Sequence, residues 1–381
     1  MPHTSARLAG FYFFYYATVG AYMPYWSPYL EHRGFSTAQM GVVYALMGVL
    51  RAIVPLVWGW WADHSPSRMR LVRTACVGAL VIFAWIPFQQ DWHWIAALML
   101  AYTLFWHAIL SQFEVVALAH LQGKDYSKVR LWGSVGFVVA VLALGAVLDH
   151  TGLDYAPAGI ALFWLGMAVA AFLVHDAPAP RQKHTDDASL LSVLKQPTLL
   201  ALLLACFCSQ ASFTPYYNFF TLFLEQHGHS RSVAGVLWAL GVVAEVALFA
   251  VMAKVMLKVG TRRLMEWALL ITALRWFLTA WLADSLLGLV LLQLSHALSF
   301  GAYHACAMHY VQSHFPSHLQ GRGQAIYNAV AYGVGGSVGS LVVGYLWTAW
   351  SPEATFVLAG IVAAVGFLVF RQTFRKHAHP I

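Results

Sequence analysis

The sequence predicts an all-α membrane protein of twelve transmembrane helices, arranged as two six-helix bundles related as parallel repeats. Three observations carry this. Sixty per cent of the 381 residues are hydrophobic and only 10% are charged. Apolar runs of the roughly 20 residues needed to cross hydrocarbon recur from end to end. A 22-residue stretch of the first half also returns in the second.

The runs between charged or turn-rich breaks give spans at about 8–30, 38–62, 69–88, 93–119, 127–148, 155–175, 197–224, 232–253, 263–283, 286–310, 321–347 and 353–370. The first begins near Leu8, has full span length and lacks an A-x-A exit, so it reads as a helix and not as a cleavable signal. Most loops are short. The exception, "HDAPAPRQKHTDDASLLSVLKQ" at 175 to 196, reads as an exposed linker. The expected organisation is therefore an N-terminal bundle over 1–175, a cytoplasmic linker over 176–196 and a C-terminal bundle over 197–381.

Lys and Arg placement sets the orientation. With both termini cytoplasmic, 17 of the 22 basic residues fall in inner loops and tails, and only Arg33 and Arg231 fall outside. The net charge of +7 is then a topology signal facing anionic lipid, and it calls for no nucleic-acid partner. Cys76, Cys206, Cys208 and Cys306 all lie in apolar stretches without C-x-x-C spacing, which argues against a disulfide framework or a zinc module.

The repeat is "LEHRGFSTAQMGVVYALMGVLR" (30 to 51) against "LEQHGHSRSVAGVLWALGVVAE" (224 to 245), identical at nine of 22 positions without gaps. Both copies start at the end of an odd-numbered span and run in the same direction. Two such halves related by an axis along the membrane normal are a known transporter plan, with the substrate site at mid-depth. Arg51 and Glu245 are repeat counterparts of opposite charge, which suggests that each half gives a polar group to a shared interior.

An ionisable side chain at the bilayer centre costs roughly 2.5–3.5 kcal/mol on insertion scales, so such residues face a bundle interior. Counted from the outer ends at about 1.5 Å per residue, Glu245, Arg275 and His296 lie roughly 20, 12 and 15 Å deep, in a similar layer. A buried ion pair that only fixes packing is the alternative. On span ten, Gln293, His296, Phe300 and His304 fall in one arc of about 80°, a candidate cavity wall, with structural hydrogen bonding as the other reading. Glu114 and Arg130 sit at matching depth inside the cytoplasmic ends of spans four and five, where they suit a helix-end salt bridge at the cytoplasmic mouth as well as a substrate site. The aromatics of span one, including Tyr12, Tyr15, Tyr16, Tyr22, Tyr25 and Trp26, suit either a ring-bearing substrate or the core. On span eleven, Gly335 and Gly339 have G-x-x-x-G spacing for close helix contact. No H-E-x-x-H pattern exists and the helical angles of His304, Cys306 and His309 diverge, so no metal or cofactor is expected.

The stretch "GWWADHSPSRMR" resembles the loop signature of the major facilitator superfamily, through Gly59, Asp63, Arg68 and Arg70, with His64 and Pro66 where a basic residue and glycine are usual. Nearer still is a resemblance to the phenylpropionate permease family and, more distantly, to lactose-permease-type sugar-proton symporters. It is carried by "FYFFYYATVGAYMPYWSPYL", "DYSKVRLWGSVGFV", "LGVVAEV" and "QLSHALSFGAYHACAMHY". The resemblance implies a gating role for the loop residues, proton coupling by Glu245, Arg275 and His296, and substrate binding by Glu114 and by Arg130 in an R-x-x-G with Gly133. Ser299 stands where the symporter pattern has a carboxylate. Arg51, Gln293, His304, Tyr22 and Trp26 complete the candidate substrate site.

The expected function is secondary active transport at a bacterial inner membrane by a monomer, with proton-coupled symport of a small organic molecule. The resemblance suggests an aromatic carboxylate such as 3-phenylpropionate. If the arginines are paired with Glu114 and Glu245, a sugar or nucleoside is the better candidate. A transporter-like sensor without transport is the alternative from another class, and no constellation for an enzyme is present.

Overall fold

The computed structural model describes residues 2–121, 125–177 and 188–376, and all regular structure in them is helical. In the first half the helices are α1 (Pro2–His32), α2 (Thr37–Asp63), α3 (Arg68–Ala84), α4 (Trp92–Leu121), α5 (Tyr126–Thr151) and α6 (Ala156–Leu173). A short α7 (Ala188–Leu194) follows, in the stretch read as linker; residues 178–187 of that linker, and Lys124, lie outside the described residues. The seventh span is α8 (Pro197–Ser212) and α9 (Thr214–Gln226), the eighth α10 (Arg231–Val259) and the ninth α11 (Thr261–Trp281). The tenth is α12 (Leu286–Leu294), a π-helical turn (Ala297–Ala302) and α13 (Tyr303–His314). The eleventh is α14 (Gln320–Asn328), a second π-helical segment (Ala329–Gly335) and α15 (Gly336–Ala349), and α16 (Pro352–Lys376) is the last.

Ten helices among the described residues are long and apolar enough to cross a membrane. Two more, α1 with 31 residues and α11 with 21, have the length but carry more polar side chains. Large apolar residues such as Leu56, Leu162, Val236, Leu257 and Leu287 face outward, as lipid-exposed surfaces require.

The chain packs into two compact units, one formed by Met1–Gln182 with Phe219–Ala239, the other by Lys183–Asn218 with Leu240–Ile381. The segment 219–239 thus groups with the first unit although it belongs to the seventh and eighth spans. In the first unit α1 packs on α5 and α6, and α3 on α4 and α6. Glycines permit the closest of these approaches, because a Cβ at Gly136 would run into the backbone carbonyl of Phe13, and one at Gly20 would come within 2.6 Å of Phe137 O. In the second unit α8 packs against α16 and the π segment of span eleven, and α11 against α16. The G-x-x-x-G pair serves that contact, with Phe207 O 2.9 Å from a Cβ at Gly335 and Ala211 O 2.6 Å from one at Gly339.

The sequence repeat is also a repeat of turns. Gly34 and Gly228, one repeat apart, both adopt left-handed φ, of 83° and 78°. Each closes the same Schellman turn, with Phe35 N–H donating to Leu30 O at 2.9 Å and His229 N–H to Leu224 O at 3.0 Å. Ser36 and Ser230 then cap the next helix, accepting from Gln39 N–H and Val233 N–H, each at 3.2 Å. At the second copy Asp149 of α5 adds its carboxylate to the start of α10, accepting from Arg231 N–H at 2.9 Å and Ser232 N–H at 3.0 Å.

Candidate functional site

In the second unit a polar cluster is built on α11, span ten, α9 and α10. Arg275 stands in the apolar run of α11 and is only 2% exposed, so its donors must be met inside the protein. Nη1 contacts His296 Nδ1 at 2.9 Å and donates to Ser299 Oγ at 3.2 Å; Nη2 donates to Gln293 Oε1 at 3.1 Å. Nε has no partner. The guanidinium lies over the rings of Trp276 and Tyr216, 4.5 and 4.6 Å from their centroids, and the Tyr216 hydroxyl donates to the same Gln293 oxygen at 3.1 Å. All these partners are neutral acceptors or π-faces.

The donor inventory dictates the imidazole's state. A guanidinium only donates, so His296 Nδ1 accepts, and the neutral ring carries its proton on Nε2. That nitrogen is 3.6 Å from Glu245 Oε2, within ion-pair reach and too far for a hydrogen bond. Glu245 and Arg275 are thus linked through the ring and make no direct ion pair, which differs from the pairing read from their common depth. Small residues allow this approach: a Cβ at Gly301 would stand 3.2 Å from Glu245 Cγ, and one at Gly241 3.5 Å from His296.

The π turn shapes the wall of span ten. In an α-helix, residues four apart drift by about 40° around the axis; the wider π turn, a feature frequent at functional sites, lessens that drift. The rings of His296, Phe300 and His304 stack nearly parallel along this wall, at 5.4 Å and 9°, then 5.9 Å and 11°. His304 Nδ1 meets the Tyr332 hydroxyl at 3.5 Å.

The first unit holds the other cluster. Arg130 of α5 donates to the Tyr16 hydroxyl, and its guanidinium lies 4.0 Å from the Tyr16 ring centroid and 5.5 Å from that of Tyr12. Glu114 accepts from the Tyr126 hydroxyl at 3.2 Å. Among the described residues Arg130 has no carboxylate within ion-pair distance, so the helix-end salt bridge with Glu114 is not formed. Arg51 is exposed and electrostatically close to Tyr15 and His107. Tyr22 and Trp26 stack at 5.1 Å, but Trp26 is 1% exposed and packed on Tyr29 and Phe83, inside the core of the unit.

In the loop after α2, Arg68 pairs with Asp63 and donates to Gln112 Oε1 of α4 at 2.6 Å. Ser67 caps α3 by accepting from Arg70 N–H at 3.1 Å, while the Arg70 side chain is exposed and Gly59 has only Gln112 Nε2 near its Cβ position, at 3.9 Å. Gln112, Tyr126 and Tyr216 escaped the sequence reading. For Gln112 the signal was available, a lone amide in an apolar span; for the tyrosines, nothing in the local sequence separates them from packing aromatics. No group of three or more His, Cys, Asp or Glu side chains suited to a metal exists among the described residues.

Comparison with known proteins places the chain among transporters. The MFS_1 like family matches it over residues 5–358. It is 30% identical over 373 residues to the Escherichia coli (strain K12) protein named "Probable 3-phenylpropionic acid transporter", covering 94% of this chain and 95% of the relative. It is 27% identical over 363 residues to the maltose permease of Geobacillus stearothermophilus, covering 94% and 92%. The crystal structure of the nucleoside transporter NupG superposes with a TM-score of 0.85 over 98% of this chain and 99% of that one, at 14% identity, a likeness of fold.

Proposed function

Because the chain belongs to the MFS_1 like family of the major facilitator superfamily, we propose that it moves a small aromatic carboxylate, such as 3-phenylpropionate, together with protons by alternating access. The two six-helix halves, 1–175 and 197–381 joined by the 176–196 linker, act as the moving bodies, and both termini face the cytoplasm of a bacterial inner membrane. The protein works as a monomer.

One observation supports the substrate class above others. Arg130 in the first unit and Arg275 in the second each lack a carboxylate within ion-pair distance among the described residues. A transported carboxylate needs a cation with no carboxylate bound directly to it. Arg130 is partly exposed while Arg275 is sealed, so Arg130 receives the substrate, with the Tyr12 and Tyr16 rings beside it. Glu114, Arg51 and Tyr22 contribute polar or ring contacts in the first unit and Trp26 supports Tyr22 from its core, while Gln293, as buried as Arg275 and held by Arg275 and Tyr216, belongs with His304 to the cluster of the second unit.

Proton coupling falls to Glu245. His296 cannot take a second proton on Nδ1 while Arg275 donates there, so the ring orients Glu245, and the carboxylate carries the proton. Arg275 keeps the ring in that tautomer. Asp63, Arg68, Arg70 and Gly59 serve the conformational change at the loop after α2, where the Asp63–Arg68–Gln112 contact ties α2, α3 and α4 together.

Purified protein in proteoliposomes with an imposed inward proton gradient tests this reading. Accumulation of 3-phenylpropionate, abolished by a protonophore, is expected. Accumulation of maltose or a nucleoside with none of aromatic acids would transfer the assignment to a sugar or nucleoside symporter. Specific binding without transport would favour the sensor reading.

A further inference from the structure

We propose that the first unit carries a phospholipid site in the groove between α1 and α6, with an anionic headgroup held at Arg7. The groove has a volume of about 740 Å³. Glycines make it: Gly10 on α1 has nothing within 4 Å of the place a Cβ would take, and Gly166 on α6 leaves room only for the Phe14 ring lying against it. Leu162, Leu165, Val169 and Leu173 form the outer wall and are exposed, so the recess opens sideways to the hydrocarbon.

Its length and its charged end select the occupant. From Leu162 to Leu173 the groove follows α6 for about 16 Å at 1.5 Å per residue, half of the roughly 30 Å hydrocarbon core, which is the depth of one leaflet. Arg7 stands at the α1 end, exposed, with its Nη1 on His175 Nδ1 at 3.0 Å. A guanidinium only donates, so the ring is a neutral acceptor there and does not offset the charge of Arg7, which has no carboxylate within ion-pair distance among the described residues. Arg73 lies at the same end, donating to Ala171 O at 3.2 Å and Val174 O at 2.8 Å, and His120 Nε2 meets His175 O at 2.9 Å. The neighbouring carboxylate, Asp176, is turned to the backbone, accepting from Ala177 N–H at 3.1 Å and Met69 N–H at 3.5 Å. An acyl chain in the groove and a phosphate at Arg7 satisfy both ends at once, and basic pockets between membrane helices favour anionic headgroups. Acyl chains coat every apolar face of a membrane protein; a recess one leaflet long, ending at a cation with no carboxylate within ion-pair distance among the described residues, distinguishes this one.

Native mass spectrometry of the full chain, released from detergent after incubation with phosphatidylglycerol or phosphatidylcholine of identical acyl chains, tests the site. Preferential retention of phosphatidylglycerol is expected, by roughly fivefold, the effect of about one basic side chain near an anionic surface. Arg7→Gln, at an exposed position that leaves the fold intact, abolishes the preference. Gly10→Phe, at a position where an added Cβ meets nothing within 4 Å, lowers retention of both lipids. Equal retention of the two lipids, a preference unchanged in Arg7→Gln, or equal thermal stabilisation by inorganic phosphate alone overturns the proposal.

Discussion

Arg275 Nη1 and His296 Nδ1 lie 2.9 Å apart, and the direction of that hydrogen bond is settled by chemistry, since the guanidinium has no lone pair to offer. The imidazole therefore turns its remaining N–H toward Glu245, and an arginine that never touches the carboxylate decides what the carboxylate meets.

The first expectation concerns that carboxylate. Glu245→Gln keeps the shape and removes the proton site, so accumulation driven by a proton gradient is lost, while exchange of labelled for unlabelled substrate at equal concentrations survives in part. Normal accumulation in reconstituted vesicles would leave Glu245 with a packing role only.

Removing the ring acts differently. His296→Ala leaves a sealed guanidinium donor unmet, at a cost of about 1.5–3 kcal/mol for a bond to a charged group, and it frees Glu245 from its neighbour. Both accumulation and exchange fall, with a lowered midpoint in thermal unfolding. An unchanged midpoint with intact exchange contradicts the orienting role of His296.

Arg130 is tested by affinity. Arg130→Gln removes the charge and the donor to Tyr16, and raises the KM for an aromatic acid by roughly ten- to a hundredfold, as expected for losing a charge-assisted hydrogen bond of about 1.5–3 kcal/mol. The apparent affinity for an uncharged analogue changes little. Equal losses for acid and amide would show that Arg130 holds the helices and not the substrate.

Two substitutions probe the scaffold. Gly136→Ala drives a methyl into the backbone of α1 at Phe13, where neither side can rotate away, and costs about 1–3 kcal/mol as overpacking. Asp149→Ala strips two backbone donors at the start of α10 of their acceptor and costs about 0.5–2 kcal/mol. Thermal unfolding in one detergent compares both with the parent; a neutral Gly136→Ala would mean that the α1–α5 spacing is wider than described.

Much of this protein is determined by its sequence alone, for physical reasons that act locally. Hydrocarbon thickness imposes the length of each apolar run, so α2, α4 and α5 lie within a few residues of the spans read from composition. The repeat at 30–51 and 224–245 declares its own turn geometry, because only glycine adopts the left-handed φ without cost at 34 and 228. The charged set was legible too, since an ionisable residue in an apolar run has nowhere to go but inward.

Partnership was decided by the tertiary structure. Depth placed Glu245, Arg275 and His296 in one layer, but only the approach of α10 to span ten at Gly301, and the π turn after His296, put the imidazole between the two charges. Depth likewise suggested that Arg130 would pair with Glu114, and the fold gives each a tyrosine instead. Tyr16, Tyr126 and Tyr216 look in sequence like any aromatic of an apolar helix. Their hydroxyls matter because helices remote in the chain bring a guanidinium, a carboxylate or an amide within hydrogen-bond reach, and such distances are set by packing across the bundle and not by any periodicity along one helix.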